Sequence, residues 1–170
     1  MLDSTAVAHY APGIRDAFFG ELAAERLYRA LAGRSADPLQ RAKFNAIADI
    51  EQRTAQTLAP VARRLGIDIP EADIEARARE RLLLLGPLSF DAFIAQAAQH
   101  WPPYIALFEQ LARLAPKADA DAMQLLVAHE RALVRFVQIE CDRPGARQSL
   151  EPLKAFLALM PRTVPPEGLG

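Results

Sequence analysis

The sequence predicts a single all-α domain, organised as a four-helix bundle with a short crossover helix and a short C-terminal helix. Apolar residues recur at the three- and four-residue spacing of amphipathic helices, and no segment shows the period-2 alternation of a strand. Most of the 13 prolines fall between the apolar segments, where they mark connections. A chain of 170 residues is long enough to bury one core. We assign the domain to residues 1–160 and predict a flexible tail over residues 161–170.

The first two long helices are predicted from their boundaries as well as their apolar spacing. One follows the Pro-Gly pair at 12–13 and runs to about residue 32. The second begins where Asp37, followed by a proline, has the properties of a helix cap, and it ends at Gly66. Pro60 lies inside the second pattern and predicts a kink there.

A short helix over 71–85 is predicted to lie within the crossover connection. Ser89 is a suitable cap for the third long helix, whose apolar stripe continues to about Leu111. The prolines at 102–103 interrupt this stripe without changing its phase, which predicts either a kinked helix or two stacked half-helices.

The fourth long helix is predicted over 118–141, after a break at Pro116. A turn at 143–145 contains both proline and glycine, and it separates this helix from the last element. Ser149 is expected to cap the short C-terminal helix, which ends near residue 160.

Composition and charge exclude several classes of function. The formal net charge is -1, so the chain has no overall positive field for nucleic acid or anionic membrane. The N-terminus lacks the pattern of a secretion signal, and the purely apolar runs, such as 82–85, are far too short to span a bilayer. Cys141, the single cysteine, has no intrachain partner for a disulfide, which predicts a reducing, cytoplasmic location.

Acidic residues fall on the apolar faces of three predicted helices. Glu21 and Glu51 each occupy a position where the spacing calls for an apolar residue, and His129 and Glu130 lie together at the centre of the fourth long helix. Carboxylates that are buried together repel one another and are costly unless they are protonated, paired or bound to a cation. A metal ion bound by Glu21, Glu51, Glu130 and a histidine removes that cost.

The same residues have structural interpretations. Phase errors of about one residue would leave some of these glutamates in solvent. Glu25, one turn after Glu21, has Arg29 at i+4, and Glu130 has Arg131 nearby. A bundle with interior Glu–Arg networks is a further hypothesis, and it rests on three arginines adjacent to candidate site residues: Arg26, Arg53 and Arg131.

At these positions the sequence resembles the ferritin-like superfamily, and its rubrerythrin branch most of all. The first helix, FFGELAAERLYRALA, matches the opening helix of that branch at Gly20, Glu21 and Tyr28. The second helix, FNAIADIEQRTAQTL, has Glu51 in place of a glutamate ligand, and LLVAHERALVRF has Glu130 in place of another. The resemblance implies that all three glutamates are metal ligands.

The sequence also departs from that pattern. Thr54 and Leu133 stand where the two Glu-x-x-His motifs of the family carry histidine ligands. His129 and His100 are candidate replacements, and His100 falls near the position of the expected third-helix glutamate. A single cysteine excludes the rubredoxin-like module of true rubrerythrins.

The resemblance implies a ferritin-like metalloprotein that binds one or two iron or manganese ions and performs oxidation linked to oxygen or peroxide. The alternative is a degenerate scaffold without metal, which acts as a dimerising or small-ligand-binding module. A homodimer is expected, because ferritin-like bundles often dimerise. Neither nucleic acid nor a membrane is expected as a partner. No organic cofactor is expected.

Overall fold

The computed structural model describes the backbone of residues 4–159 and the side chains of residues 9–159, and within these limits the chain is helical without a strand. The helices are α1 (Ser4–Arg34), α2 (Pro38–Arg64), α3 (Glu71–Leu85), α4 (Phe90–His100), α5 (Pro102–Leu114), α6 (Ala120–Asp142) and α7 (Leu150–Leu159). Short 3₁₀ turns at Lys117–Asp119 and Arg147–Ser149 precede helices α6 and α7, respectively. The all-α prediction is confirmed. The predicted tail at 161–170 lies outside the described residues.

Helix α1 begins earlier than the sequence indicated, because Pro12 lies inside it rather than before it. The added turns are held by Tyr10, whose buried hydroxyl donates to Asp119 Oδ2 at 2.9 Å. Asp119 also forms an ion pair with Arg64 at the end of α2. This three-residue network joins the first turns of α1 to the start of α6, which local helix rules alone do not predict.

Gly13 allows α5 to approach α1 closely. A Cβ atom at position 13 would lie 2.6 Å from Cδ1 of Leu111, well inside van der Waals contact. Glycine in a helix interior normally destabilises it slightly, and here the close packing of Leu111 against α1 offsets that effect.

The boundaries of α2 are those predicted. Asp37 Oδ1 accepts hydrogen bonds from the backbone N–H groups of Leu39 and Gln40, so the cap is confirmed. Gly66 adopts a φ of 68° at the other end, where the N–H of Ile67 donates to the carbonyl of Ala62. That left-handed position is one that glycine adopts at little cost.

The prolines at 102–103 divide the third long helix into α4 and α5, with Trp101 at the break. Two stacked half-helices, one of the two predicted alternatives, are therefore what the structure shows. Ser149 immediately precedes α7, at the position predicted for its cap. Its hydroxyl donates to the carbonyl of Ala146 inside the 3₁₀ turn, and α7 begins one residue later.

Helix α1 packs along α2, and α6 packs against α2, α4 and α5. The short helix α3 lies against α1, and α7 closes the structure against α2 and α6. Within residues 4–159, no single helix is both long and apolar enough to cross a membrane. Helices α3 and α4, which meet at 117°, reach the required length and apolarity only as a pair.

The apolar interior consists of two clusters of buried side chains. One contains Tyr28, Ile47 and Phe136, and the other contains Ile14, Leu58 and Leu126. Helices α1, α2 and α6 contribute to both clusters. On each of these three helices, the residues between the two clusters include buried polar side chains, and these define the site described next.

Candidate metal centre

Four ionisable side chains meet in the polar layer between the apolar clusters. Glu21 comes from α1, Glu51 from α2, and His129 and Glu130 from α6. Each is at most 6% exposed. Burial of three carboxylates and an imidazole at one level of a helical protein requires compensation, because an unpaired charge in such a place is strongly unfavourable.

Helical periodicity explains why these residues point inward. Glu51 follows Ile47 by four residues and precedes Leu58 by seven, so all three lie on one face of α2. On α6, Leu126 and Leu133 flank His129 at three and four residues. The neighbouring apolar side chains therefore fix the orientation of the polar ones between them.

The nitrogen Nε2 of His129 is the geometric centre of the cluster. It lies 3.4 Å from Glu21 Oε2, 3.6 Å from Glu51 Oε2 and 3.9 Å from Glu130 Oε2. One ligand atom each from Glu21, Glu51 and His129 all fall within 4.8 Å of one another. An ion bound at about 2.1 Å places adjacent ligand atoms about 3.0–3.4 Å apart, so small side-chain adjustments suffice to close this set around one cation.

The other ring nitrogen of His129 fixes its tautomer. Nδ1 lies 2.7 Å from the carbonyl oxygen of Leu126, which can only accept, so Nδ1 carries the proton. In the neutral ring, Nε2 then presents a lone pair towards three carboxyl groups. That arrangement is repulsive unless Nε2 is protonated or bound to a metal, and a main-chain acceptor on the second nitrogen is the usual support of a metal-binding histidine.

The protonation states of the metal-free cluster are strongly perturbed. Burial raises the pKa of Glu21 well above its ordinary value, and the negative charges of Glu51 and Glu130 raise it further. Burial opposes ionisation of Glu51 as well, but hydrogen bonding to Glu21 and His129 outweighs it and lowers the pKa of Glu51. Burial also disfavours the charged form of His129, yet hydrogen bonding to Glu51 leaves the pKa of His129 raised. A protonated Glu21 and an imidazolium beside Glu51 therefore describe the metal-free state.

Two buried oxygen atoms in this region have no hydrogen-bond partner among the described residues. They are Oε2 of Glu21 and the hydroxyl Oγ1 of Thr54, which is one turn beyond Glu51 on α2. Buried polar atoms without a partner are rare in native proteins, and they indicate a ligand, ion or water that completes the site. The residues present thus fit a bound cation.

Aromatic rings cover the cluster on the α5 and α7 sides. The ring of Phe108 lies 6.0 Å from the imidazole of His129, and that of Phe156 lies 6.4 Å from it. Tyr28, one of the residues on which the family resemblance rests, is buried and packs against Phe44, Phe93 and Trp101. Burial raises the pKa of Tyr28, so its hydroxyl stays protonated.

The structure brings together four of the five predicted ligands, Glu21, Glu51, Glu130 and His129, but not His100. His100 is exposed at the end of α4, and its Nδ1 lies 2.8 Å from the carbonyl oxygen of Gln96 on its own helix. The break at Trp101 ends α4 immediately after it, so its side chain lies on the outer surface.

Two of the three arginines adjacent in sequence to the site form ion pairs outside it. Arg26 pairs with Glu71 and Glu75 of α3, and Arg131 pairs with Glu109 of α5. Glu25 pairs with Arg29, as its i+4 spacing suggested. Sequence reasoning missed Arg81, whose positive charge helps to lower the pKa of Glu51. Arg81 is an exposed residue of α3, and only the tertiary packing of that helix reveals its influence.

No protein-family model, no curated protein and no solved structure matches this chain.

The change in folding stability with pH measures the shift in the pKa of Glu130. Burial raises the pKa of Glu130 to about 7 from 4.5, the imidazolium of His129 opposes this effect, and the charge of Glu51 adds to it. A carboxyl group whose pKa is raised by folding stabilises the folded state at low pH, and this contribution is lost as pH rises. The metal-free protein should therefore lose about 3 kcal/mol relative to Glu130→Gln between about pH 4.5 and 7.

Urea denaturation at several pH values in the presence of a chelator measures this difference. Glu109→Gln is a matched control, since Glu109 is a glutamate of α5 that is paired at the surface. A constant difference between wild type and Glu130→Gln across the range would show that Glu130 titrates at its ordinary pH.

Proposed function

We propose that this chain is a ferritin-like metalloprotein that binds one iron or manganese ion with Glu21, Glu51 and His129. The observation that carries the proposal is the orientation of His129. Its Nδ1–H donates to Leu126 O, and its Nε2 lies 3.4–3.6 Å from two carboxylate oxygens on two other helices. A divalent cation between these atoms takes the place of the protons that Glu21 and His129 hold in the metal-free state, and it supplies the missing partner of Glu21 Oε2.

The donor set supports a first-row metal ion. Carboxylate oxygens suit hard cations such as manganese, and imidazole suits iron and zinc, so two carboxylates with one imidazole favour ferrous iron or manganese. Glu130 Oε2, 3.9 Å from His129 Nε2, is the nearest further oxygen. We propose one ion rather than two, because Thr54 and Leu133 replace the histidines that a second ion would need.

The ferritin-like assignment rests on the order and placement of the helices. Long helices α1 and α2 lie side by side, the short helix α3 occupies the crossover, and α6 supplies the last two ionisable residues. The halves α4 and α5 together take the place of the third bundle helix. Carboxylates from facing helices at one level are the way in which helical bundles build metal sites.

A redox-active ion at this place supplies oxidation linked to oxygen or peroxide. The chain's own residues hold the ion, and the rings of Phe108 and Phe156 keep bulk water away from the imidazole. In the metal-free protein, burial raises the pKa of Glu130 to about 7, so its carboxyl group can hold a proton under mildly acidic conditions. The buried Thr54 hydroxyl remains free to donate a hydrogen bond.

Metal content of the freshly purified, untagged protein tests the proposal. We expect close to one equivalent of iron or manganese by elemental analysis, with protein measured on the same sample. Glu51→Ala should remove this metal, because it deletes one of three ligands. Glu25→Ala should retain it, since Glu25 is a partly buried glutamate that pairs with Arg29 outside the cluster. Protein that stays free of metal after reconstitution with ferrous iron would contradict the proposal.

The second candidate function is a metal-free scaffold that dimerises or binds a small ligand. One observation favours it: a protonated Glu21, an ionised Glu51 and an imidazolium at His129 compensate one another without a cation. The same elemental analysis separates the two candidates. For the scaffold, neither chelator nor added metal changes thermal stability.

A further inference from the structure

A cavity lies between the C-terminal half of α6 and the break that separates α4 from α5. Its volume is about 390 Å³, within the range of pockets that hold small organic molecules. The floor is apolar and consists of Ala97, Val134 and Val137, all of which are buried. None of these residues belongs to the candidate metal centre, so the cavity is a separate feature of the molecule.

Trp101 forms a rigid aromatic wall of this cavity. Its ring contacts Tyr28 and Phe93 edge-on, with centroids 6.4 and 6.0 Å away, and these contacts fix its orientation from the core side. A wall that is already ordered before binding suits a flat aromatic ligand, because little conformational entropy is lost on association. Edge and face contacts with an indole ring also favour aromatic over aliphatic ligands.

The polar groups around the cavity are mostly hydrogen-bond donors. Arg135 donates to Gln138 Oε1 at 3.4 Å, which leaves most of its guanidinium and the amide NH₂ of Gln138 available. A planar guanidinium binds a carboxylate through two parallel hydrogen bonds, so an anionic acceptor is the matching ligand group.

Two acceptors also lie on the cavity wall. Ala98 cannot receive the usual helical hydrogen bond at its carbonyl, because residue 102 is a proline without an N–H. Asp142 lies at the rim, two helical turns from Arg135. These groups can accept a hydrogen bond from a donor elsewhere on the ligand. Because Asp142 is an acidic residue, a cationic ligand of the same shape is the control compound for the proposal.

We propose that this cavity binds a small aromatic carboxylate, with its ring system against Trp101 and its carboxylate on Arg135. The floor formed by Val134 and Val137 covers the remaining apolar surface of the ligand. The proposal is independent of the metal centre, because none of the cavity residues is a candidate ligand.

The chain contains one tryptophan, which gives the test a direct reporter. The indole N–H of Trp101 is a single resonance in the spectrum of ¹⁵N-labelled protein, and Trp101 lines the proposed site. We expect naphthalene-2-carboxylate to shift this resonance saturably. The amidine of the same shape, naphthalene-2-carboxamidine, should bind at least about tenfold more weakly, because it faces the guanidinium with a like charge.

Variants locate the carboxylate. Arg135→Gln should weaken naphthalene-2-carboxylate binding by about tenfold, since it removes a charge-assisted pair. Arg131→Gln is the matched control, an exposed arginine one turn earlier on α6 that pairs with Glu109 and does not line the cavity. Ala98→Leu should reduce binding by filling the cavity, and the dispersion of the amide spectrum shows in each case that the variant is folded.

The result that overturns the proposal is equally direct. Absence of a saturable Trp101 shift at millimolar naphthalene-2-carboxylate would exclude an aromatic carboxylate site. Equal affinity for the acid and the amidine, or equal affinity of wild type and Arg135→Gln, would remove the role of the guanidinium. Tighter binding of the amidine would assign the cavity to cations through Asp142 and would also contradict the proposal.

Discussion

Excess manganese should raise the free energy of unfolding of the metal-free protein by about 4 kcal/mol when free ion exceeds its dissociation constant a thousandfold. In the folded chain, ligand atoms of Glu21, Glu51 and His129 lie within 4.8 Å of one another. In the unfolded chain these residues, which are far apart in sequence, do not form a site. Only the folded state therefore gains the binding energy. Urea denaturation followed by far-UV circular dichroism, with chelator or with manganese, measures the increment.

The variant Glu21→Gln distinguishes the contribution of metal binding to stability from that of the fold alone. Because the pKa of Glu21 is raised well above its ordinary value, its side chain is neutral in the metal-free protein, and an isosteric amide replaces it with little change. We expect near-wild-type stability in chelator and no increment with manganese. Glu25→Gln, one turn later on α1, should keep the full increment. An undiminished increment in Glu21→Gln would exclude Glu21 as a ligand.

Lys43→Met should cost about 3–5 kcal/mol of stability, the other large effect expected in this protein. The Lys43 ammonium is fully buried and forms an ion pair with Glu140 Oε1, and it lies 5.3 Å from the centre of the Phe90 ring. Removal of the cation leaves the Glu140 carboxylate buried without a counter-charge. The midpoint of urea denaturation, taken together with an unchanged slope, measures the loss.

The double variant Lys43→Met with Glu140→Leu should recover most of that stability, because no unpaired charge remains in the core. Full recovery is not expected, since Glu140 Oε2 also accepts a hydrogen bond from the N–H of Gly145 and so holds the turn after α6. Lys154→Met is the control, an exposed lysine whose loss should stay within about 0.5 kcal/mol. A single variant as stable as the double would show that the unpaired Glu140 carboxylate is not the cause of the loss.

The sequence predicted the helices of this fold well, because their signals are local. Asp37 and Gly66 mark the ends of α2 through their own cap geometry, and the prolines at 102–103 break the α4–α5 stripe by removing N–H groups. The extension of α1 beyond Pro12 could not be predicted in this way. It depends on Tyr10 and Asp119, which are 109 residues apart and meet only after the chain has folded.

Most candidate site residues could also be identified from local patterns in the sequence. Glu21, Glu51, His129 and Glu130 could be found because a polar residue within an apolar stripe is visible in the sequence. His100, the fifth candidate ligand, lies away from the other four, at the exposed end of α4. The buried pair of Lys43 and Glu140 was not predicted at all, since helical spacing does not identify which helices will face each other across the core.

Helix α6 carries three separate features along its 23 residues: His129 and Glu130 in the polar layer, Arg135 at the cavity, and Glu140 in the ion pair. One inserted residue turns everything beyond it by about 100°. A single-residue insertion before His129 would thus misdirect all three features, whereas one in the exposed turn at 143–145 would leave them in phase. We therefore expect length differences among relatives of this protein to fall in the turns rather than within α6.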